Sequence, residues 1–353
     1  MVVFTRGLFV KVVIGLVLVR LLLPLIGLKT INWVLTNKLG TYEGHIEDFE
    51  LSLYRGAYQI QKLEIKKRNT NLAPILTVEE MDLAIAWRAL VKGVISIDVQ
   101  VKRLVLNIID SKKEENRQYG TEEKNWQEAL SALVPLSVQS LILENSAAYF
   151  TNQDILKALP IQLEKIALVA EDLQTGAKEN HQALSPFTMT AQLQGHAPLT
   201  LEGEFDPLAK KPRTDLNFSL VKFHPRTINN MLLAYLPLDL TSGEISIYGE
   251  MASANGDMKG YMNVFLNDVD VVAPGQNILS PRHFAIELLG AFANWALRNK
   301  DHTTAAHIPF ERRKGKFDID ANTAFWSSVE NKREKLPKGL ENSISLKNLE
   351  GTK

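Results

Sequence analysis

Few side chains in this 353-residue chain have types and spacings that could do chemistry. His283 and Glu287 stand four apart, which on a helix puts an imidazole and a carboxylate on one face at a legal metal-ligand spacing. No third ligand stands near them in sequence, so a surface pair is the simpler reading. His302 and His307 fall in an expected loop and lack a third ligand as well. Asp268 with Asp270, and Asp318 with Asp320, place carboxylates on one face of an extended strand, where the usual role is solvation. There is no Gly-x-Ser-x-Gly elbow, no phosphate-cradling Gly-x-x-x-x-Gly-Lys loop, no His-Glu-x-x-His pair and no calcium loop. Cysteine is absent altogether, which removes disulfides, thiolate zinc sites and cysteine nucleophiles together. The expectation is a protein that is not an enzyme and carries no catalytic residues, no cofactor and no metal.

Charge narrows the partners. Forty basic and forty acidic residues cancel, and neither sign gathers into blocks. A nucleic-acid binder needs a basic face to neutralise phosphates, so nucleic acid is not an expected partner.

What remains is apolar patterning. Sixteen of the 21 residues 8–28 are Leu, Ile, Val or Phe, with Lys11 and Arg20 the charged interruptions. A helix of that length covers the ~30 Å hydrocarbon core of a bilayer, and the apolar gain outweighs one central arginine. No small-residue cleavage site follows Arg20, so the reading is an uncleaved transmembrane anchor rather than a signal peptide, with Trp33 at the interface beyond its exit. Basic residues near the two ends balance, so charge does not set the orientation.

From Ile46 onward the period changes to two. Phe49, Leu51 and Leu53 alternate with Asp48, Glu50 and Ser52; Leu83 and Ile85 alternate with Asp82 and Ala84; Val99 and Val101 flank Gln100. These alternations give one greasy face, and Phe49, Leu51, Leu53, Leu83, Ile85, Val99 and Val101 are its expected members. Glu50, Ser52, Asp82 and Lys102 then point away. A second pattern recurs at Tyr58-Ile60/Leu63-Ile65, Val99-Val101/Leu104-Leu106, Leu136-Val138/Leu141-Leu143 and Ile161-Leu163/Ile166-Leu168. Two apolar positions, a polar step and two more apolar positions describe a strand whose bulge or tight turn resets the apolar face; ordinary sandwich strands are the alternative.

Helical periodicity returns in three windows, 126–134, 225–236 and 281–298. The first is capped by Asn125 and stopped by Pro135, the second opens at His224-Pro225, and the third carries the stripe Phe284, Leu288, Leu289, Phe292 and Trp295. Roughly a dozen strands against three short helices make a helix-covered parallel sheet unsuitable. The fold class expected is mainly β with a few short helices.

The stretch Leu240-Thr-Ser-Gly243, the run to Tyr248-Gly-Glu250, Asn255-Gly256-Asp257 and Gly260-Tyr261-Met262-Asn263-Val264 resembles the C-terminal region of the AsmA-like envelope proteins of Gram-negative bacteria. Ile308-Pro309-Phe310, Phe325-Trp326 and Pro337-Lys-Gly-Leu340-Glu341-Asn342 look like the closing segment of one branch long labelled a domain of unknown function. The anchor, Phe49-Glu-Leu-Ser-Leu53 and Trp87-Arg-Ala-Leu90 fit the first half.

The resemblance implies an N-terminal transmembrane helix followed by an elongated, curled antiparallel sheet forming an apolar groove for lipid. It implies a short cytoplasmic tail at 1–7, the anchor at 8–28, an N-terminal β section at 29–110, a polar loop at 111–125, a central and C-terminal β section with helices at 126–300, and a closing segment with a polar tail at 301–353. The location implied is the bacterial inner membrane, single-pass, with the bulk of the chain periplasmic. The function implied is lipid binding and transfer in phospholipid movement or outer-membrane biogenesis, with phospholipid acyl chains as ligand, the inner membrane held through residues 8–28, and envelope proteins as possible partners. The alternative is a non-enzymatic envelope scaffold or assembly regulator acting through protein contacts.

Overall fold

The structure is a computed structural model that describes residues 6–52, 55–85, 96–118, 137–155, 159–173, 184–206, 213–235, 239–240, 242–269, 271–272, 303–313, 316–319, 340–346 and 349. It begins with helix α1 (Arg6–Asn37). The strands follow: β1 (Tyr42–His45), β2 (Asp48–Ser52), β3 (Ala57–Lys67), β4 (Leu76–Ile85), β5 (Ser96–Asp110), β6 (Ser137–Asn152), β7 (Ile161–Glu171), β8 (Ser185–Leu193), β9 (Ala197–Phe205) and β10 (Thr214–Phe223). A 3-10 turn at Pro225–Ile228 runs into helix α2 (Asn229–Tyr235). Then come β11 (Asp239–Leu240), β12 (Glu244–Ala254), β13 (Asp257–Asn267), β14 (Val271–Val272), β15 (Thr303–Arg313) and β16 (Lys316–Ile319).

Fourteen of these strands form one open sheet in nearly sequential order from β1 and β2, both paired with β3, through to β16. β11 and β14 make a separate two-stranded pair. Pairing is antiparallel except between β5 and β6, which run parallel. The expectation of a wholly antiparallel sheet is corrected there. Residues 111–136 separate those two strands, and only a long connection lets a chain return to start a parallel neighbour.

The transmembrane anchor expected at 8–28 is also corrected. Among the described residues no helix is long and apolar enough to cross a membrane. Lys11 and Arg20 are exposed on α1, Pro24 lies inside it, and the helix runs on to Asn37. Its last turns belong to the β body: Leu35 is fully buried, and Leu28 and Ile31 pack against the same core. Two polar devices fix this junction. Asn32 exchanges hydrogen bonds with the backbone of Ile46, donating to its carbonyl at 3.0 Å and accepting from its N–H at 2.7 Å. The Arg68 guanidinium donates to the carbonyls of Thr36, Gly40 and Tyr42, giving a partner to one carbonyl that the end of the helix leaves unsatisfied and tying the turn after it to β1. Trp33 is exposed on α1, with the Lys38 ammonium 5.5 Å from its ring centroid.

The polar step between apolar pairs has a backbone cause. Lys62, Arg103 and Lys165 each have φ of 51°, and Asn145 has 48°, left-handed values inside strands. On either side of Lys62, Gln61 pairs with Glu80 and Leu63 with Val78; on either side of Arg103, Lys102 pairs with Glu80 and Leu104 with Val78. The kinks are therefore matched across β4: Lys62, Glu79 and Arg103 drop out of the pairing together, and the register resumes unshifted on either side. Residues of opposite parity, Ile60 before the kink and Leu63 and Ile65 after it, enter the same core. In β6 the step is a register shift, with Val138 opposite Ile97 but Ser140 opposite Asp98.

Of the helices expected from periodicity, residues 225–235 are helical, with Ile228 and Met231 buried against Ala197 and Phe223. The windows 126–134 and 281–298 lie outside the described residues.

Candidate functional site: an apolar face across the sheet

Cα pairing places apolar side chains in one row over most of the sheet. Leu51 is opposite Tyr58, Tyr58 opposite Leu83, Leu83 opposite Val99, and Val99 opposite Leu141. A parallel track runs Phe49, Ile60, Met81, Val101, Leu143, Leu168, Met189, Leu201, Phe218, Gly249, Met262 and Ile308. Because alternate residues point to opposite faces, the intervening positions make the other surface. There Gln59, Asp82 and Gln100 share one row, and Thr190 meets Thr200, which meets Ser219.

The seven residues singled out in the sequence distribute as follows. Phe49, Leu51, Leu83, Ile85, Val99 and Val101 share the apolar face, while Leu53 lies outside the described residues. They sit at its covered end: Leu83 is 1% and Val101 3% exposed, in the core that α1 closes with Leu35 and Ile31. The opposite end is closed by a second core, built on Met262, Val264, Ile308 and Phe310.

Between these cores the face is less covered. Leu168, Phe187, Met189, Leu199 and Leu201 are half-buried, and none is a member of the buried clusters formed by the described residues. α2 and the 3-10 turn before it pack along one rim of this middle section through Met231 and Ile228, next to Leu193, Leu220 and Phe223. These central residues are the ones the sequence reading did not select. Their signal was available in the alternations at Leu199, Leu201 and Phe205 and at Leu216, Phe218 and Leu220, but nothing local told the middle of the sheet from its ends.

Among the described residues the polar candidates do not assemble into a metal site. His283, Glu287, His302, Asp270 and Asp320 lie outside the described residues, and Asp318 is on β16. Asp268 is not on a strand face as expected; it follows β13 at φ 52°, exposed. His307 is on β15 rather than in a loop, with Nδ1 2.8 Å from Asn263 Oδ1 and 3.4 Å from Glu341 Oε1. Among the described residues no group of three His, Asp or Glu side chains could hold a metal ion.

One buried carboxylate stands on the other face. Glu250 is 1% exposed and accepts the Tyr261 hydroxyl at 2.5 Å together with the backbone N–H groups of Asn342, Ser343 and Ile344. Burial pushes its pKa upward, but the Tyr261 hydroxyl and the three backbone donors outweigh that and hold it below the ordinary carboxylate range. Tyr261 moves the other way, its phenol kept protonated by burial and by the neighbouring carboxylate.

No family model matches the chain, and no curated protein matches it.

Proposed function

We propose that this protein carries lipid, with acyl chains lying across the apolar face of the sheet, and that it works by binding rather than by catalysis. The observation that supports the reading is the in-register apolar row, closed by packed cores at both ends and half-buried between them at Leu168, Met189 and Leu201. Half-buried Leu, Met and Phe side chains on one contiguous strip leave apolar area for an apolar ligand to cover. Each buried methylene contributes about 0.8 kcal/mol, so an acyl chain gains through length without needing a deep pocket.

The test places a charge where the ligand would lie and another beside it on the opposite surface. Leu201→Asp should lower the lipid recovered from purified protein several-fold, with Thr200→Asp retaining it; both are read by mass spectrometry of organic extracts and both should melt cooperatively. Wild-type protein devoid of lipid, or equal lipid in the two variants, contradicts the reading.

A further inference from the structure

The outer surface of β12, β13 and β15 differs from the rest of that face. Over β8–β10 the outward positions are Thr188, Thr190, Thr200, Glu202 and Asn217, all at least partly solvated. Over β12 and β13 they become Glu250, Ala252, Tyr261 and Asn263, all buried. What covers them includes the chain's own segment 340–346.

The segment is held mainly by its backbone. Ser343 N–H donates to Glu250 Oε2 at 2.7 Å and Ile344 N–H to the same oxygen at 3.0 Å; Asn342 N–H donates to Glu250 Oε1. Glu341 N–H donates to the Tyr261 hydroxyl at 2.7 Å, and Leu346 N–H to Asp215 Oδ2 at 3.0 Å. Asn342 has φ of 53°, which turns successive N–H groups toward one point, a concavity made for an anion. Side chains add to this: Leu346 packs on Ala252 and Ala254 with Ile344 and Leu349 beside it, and the Glu341 carboxylate accepts from Asn263 Nδ2 at 3.0 Å and lies 3.4 Å from His307 Nδ1. Such a site reads the converging N–H groups of a turn and a pair of aliphatic residues two apart.

We propose that this surface is a peptide-docking site, occupied within one molecule by residues 340–346 and able to take the same segment from a second copy of the chain. The only peptide whose fit the structure displays is this chain's own, so a second copy is the partner guaranteed to match. Residues 320–339 link Ile319 of β16 to the segment, and at about 3.3 Å per extended residue they could span to a neighbouring molecule. This inference is independent of lipid carriage.

The test uses full-length protein and a fluorescent peptide of residues 338–349. In Leu346→Asp the chain's own segment is weakened, and the peptide should bind at least tenfold more tightly than to wild type. Adding Glu250→Gln to that variant should reduce the affinity at least tenfold. Hydrogen exchange at the amides of 342–344 reports release of the segment, and copies bearing different tags should co-purify. If Leu346→Asp does not fold, Ile344→Ala with Leu346→Ala supplies a milder release for the same comparison. Failure of the peptide to bind protein whose own segment is released, or binding that ignores Glu250→Gln, overturns the proposal.

Discussion

The ring of Phe218 lies over Gly249, its register partner on the next strand; a Cβ at Gly249 would stand 2.5 Å from Phe218 Cε1. The same arrangement recurs one strand further on, where Phe310 covers Gly260. Aromatic rings thus replace the missing side chains and keep the apolar row smooth across β10–β15. Gly249→Val should destabilise by about 1–3 kcal/mol through overpacking, read as a lower urea midpoint with unchanged slope. An unchanged midpoint would mean that the ring is not held there.

Lys165 pays for its left-handed φ of 51° with backbone strain that glycine would not feel. Lys165→Gly should be neutral or stabilising by up to about 1 kcal/mol, whereas Lys165→Val should lose about 1–2 kcal/mol, because a β-branched residue is poorest at positive φ. Paired thermal melts decide it. The reverse order would place the strain elsewhere.

Glu250 makes stability depend on pH in a definite direction. Its pKa in the folded protein lies below the ordinary carboxylate range, so its contribution is complete above that range and fades as pH falls through the folded value. Glu250→Gln should cost about 1–3 kcal/mol near neutrality. The gap between wild type and variant should narrow below roughly pH 4.3, the unfolded glutamate value, as the carboxylate takes up its proton. Melts at pH 7, 5 and 3 test this, and a gap that stays constant would contradict it.

Val101 and Lys102 are sequence neighbours on opposite surfaces, one in the core under α1 and the other paired with Glu80 at 2.8 Å. Val101→Asp should destabilise by about 3–5 kcal/mol, the cost of a buried unpaired charge. Lys102→Asp should melt close to wild type, with a salt-sensitive deficit from the carboxylate it would set beside Glu80. Circular-dichroism melts at two salt concentrations separate the two. The contrast is one of burial, so a charge introduced at Val101 speaks to folding and not to ligand binding, which is why the lipid test belongs at Leu201.

Strands, their two faces and the kinks were legible in the sequence because each has a local cause. Period-two alternation needs only the residues of one strand, and the change of parity from Ile60 to Leu63 had to be absorbed by the backbone, as the positive φ of Lys62 shows. The end of α1 was legible too, since Leu28, Ile31 and Leu35 repeat at helical spacing, but the apolar run before them dominated the reading. The parallel seam was not, because a strand alternates in the same way whether its neighbour runs with it or against it. Nor was the role of Glu250: in sequence it is one more polar position in an alternating strand, and the donors that bury it come from residues 342–344.

That seam between β5 and β6 also gives the folding reaction a place to wait. Nearly every other pairing in the large sheet joins strands that follow one another closely, so each can zip as a hairpin soon after its residues meet. At the seam the chain must instead close a loop through residues 111–136 before Val99 can find Leu141. The two flanks, β1–β5 and β6–β16, can gather structure as separate nuclei, and joining them closes one of the two long connections of the sheet, the other running from β13 to β15. Pulse-labelled hydrogen exchange should find the β3–β4 amides protected before those bridging β5 to β6.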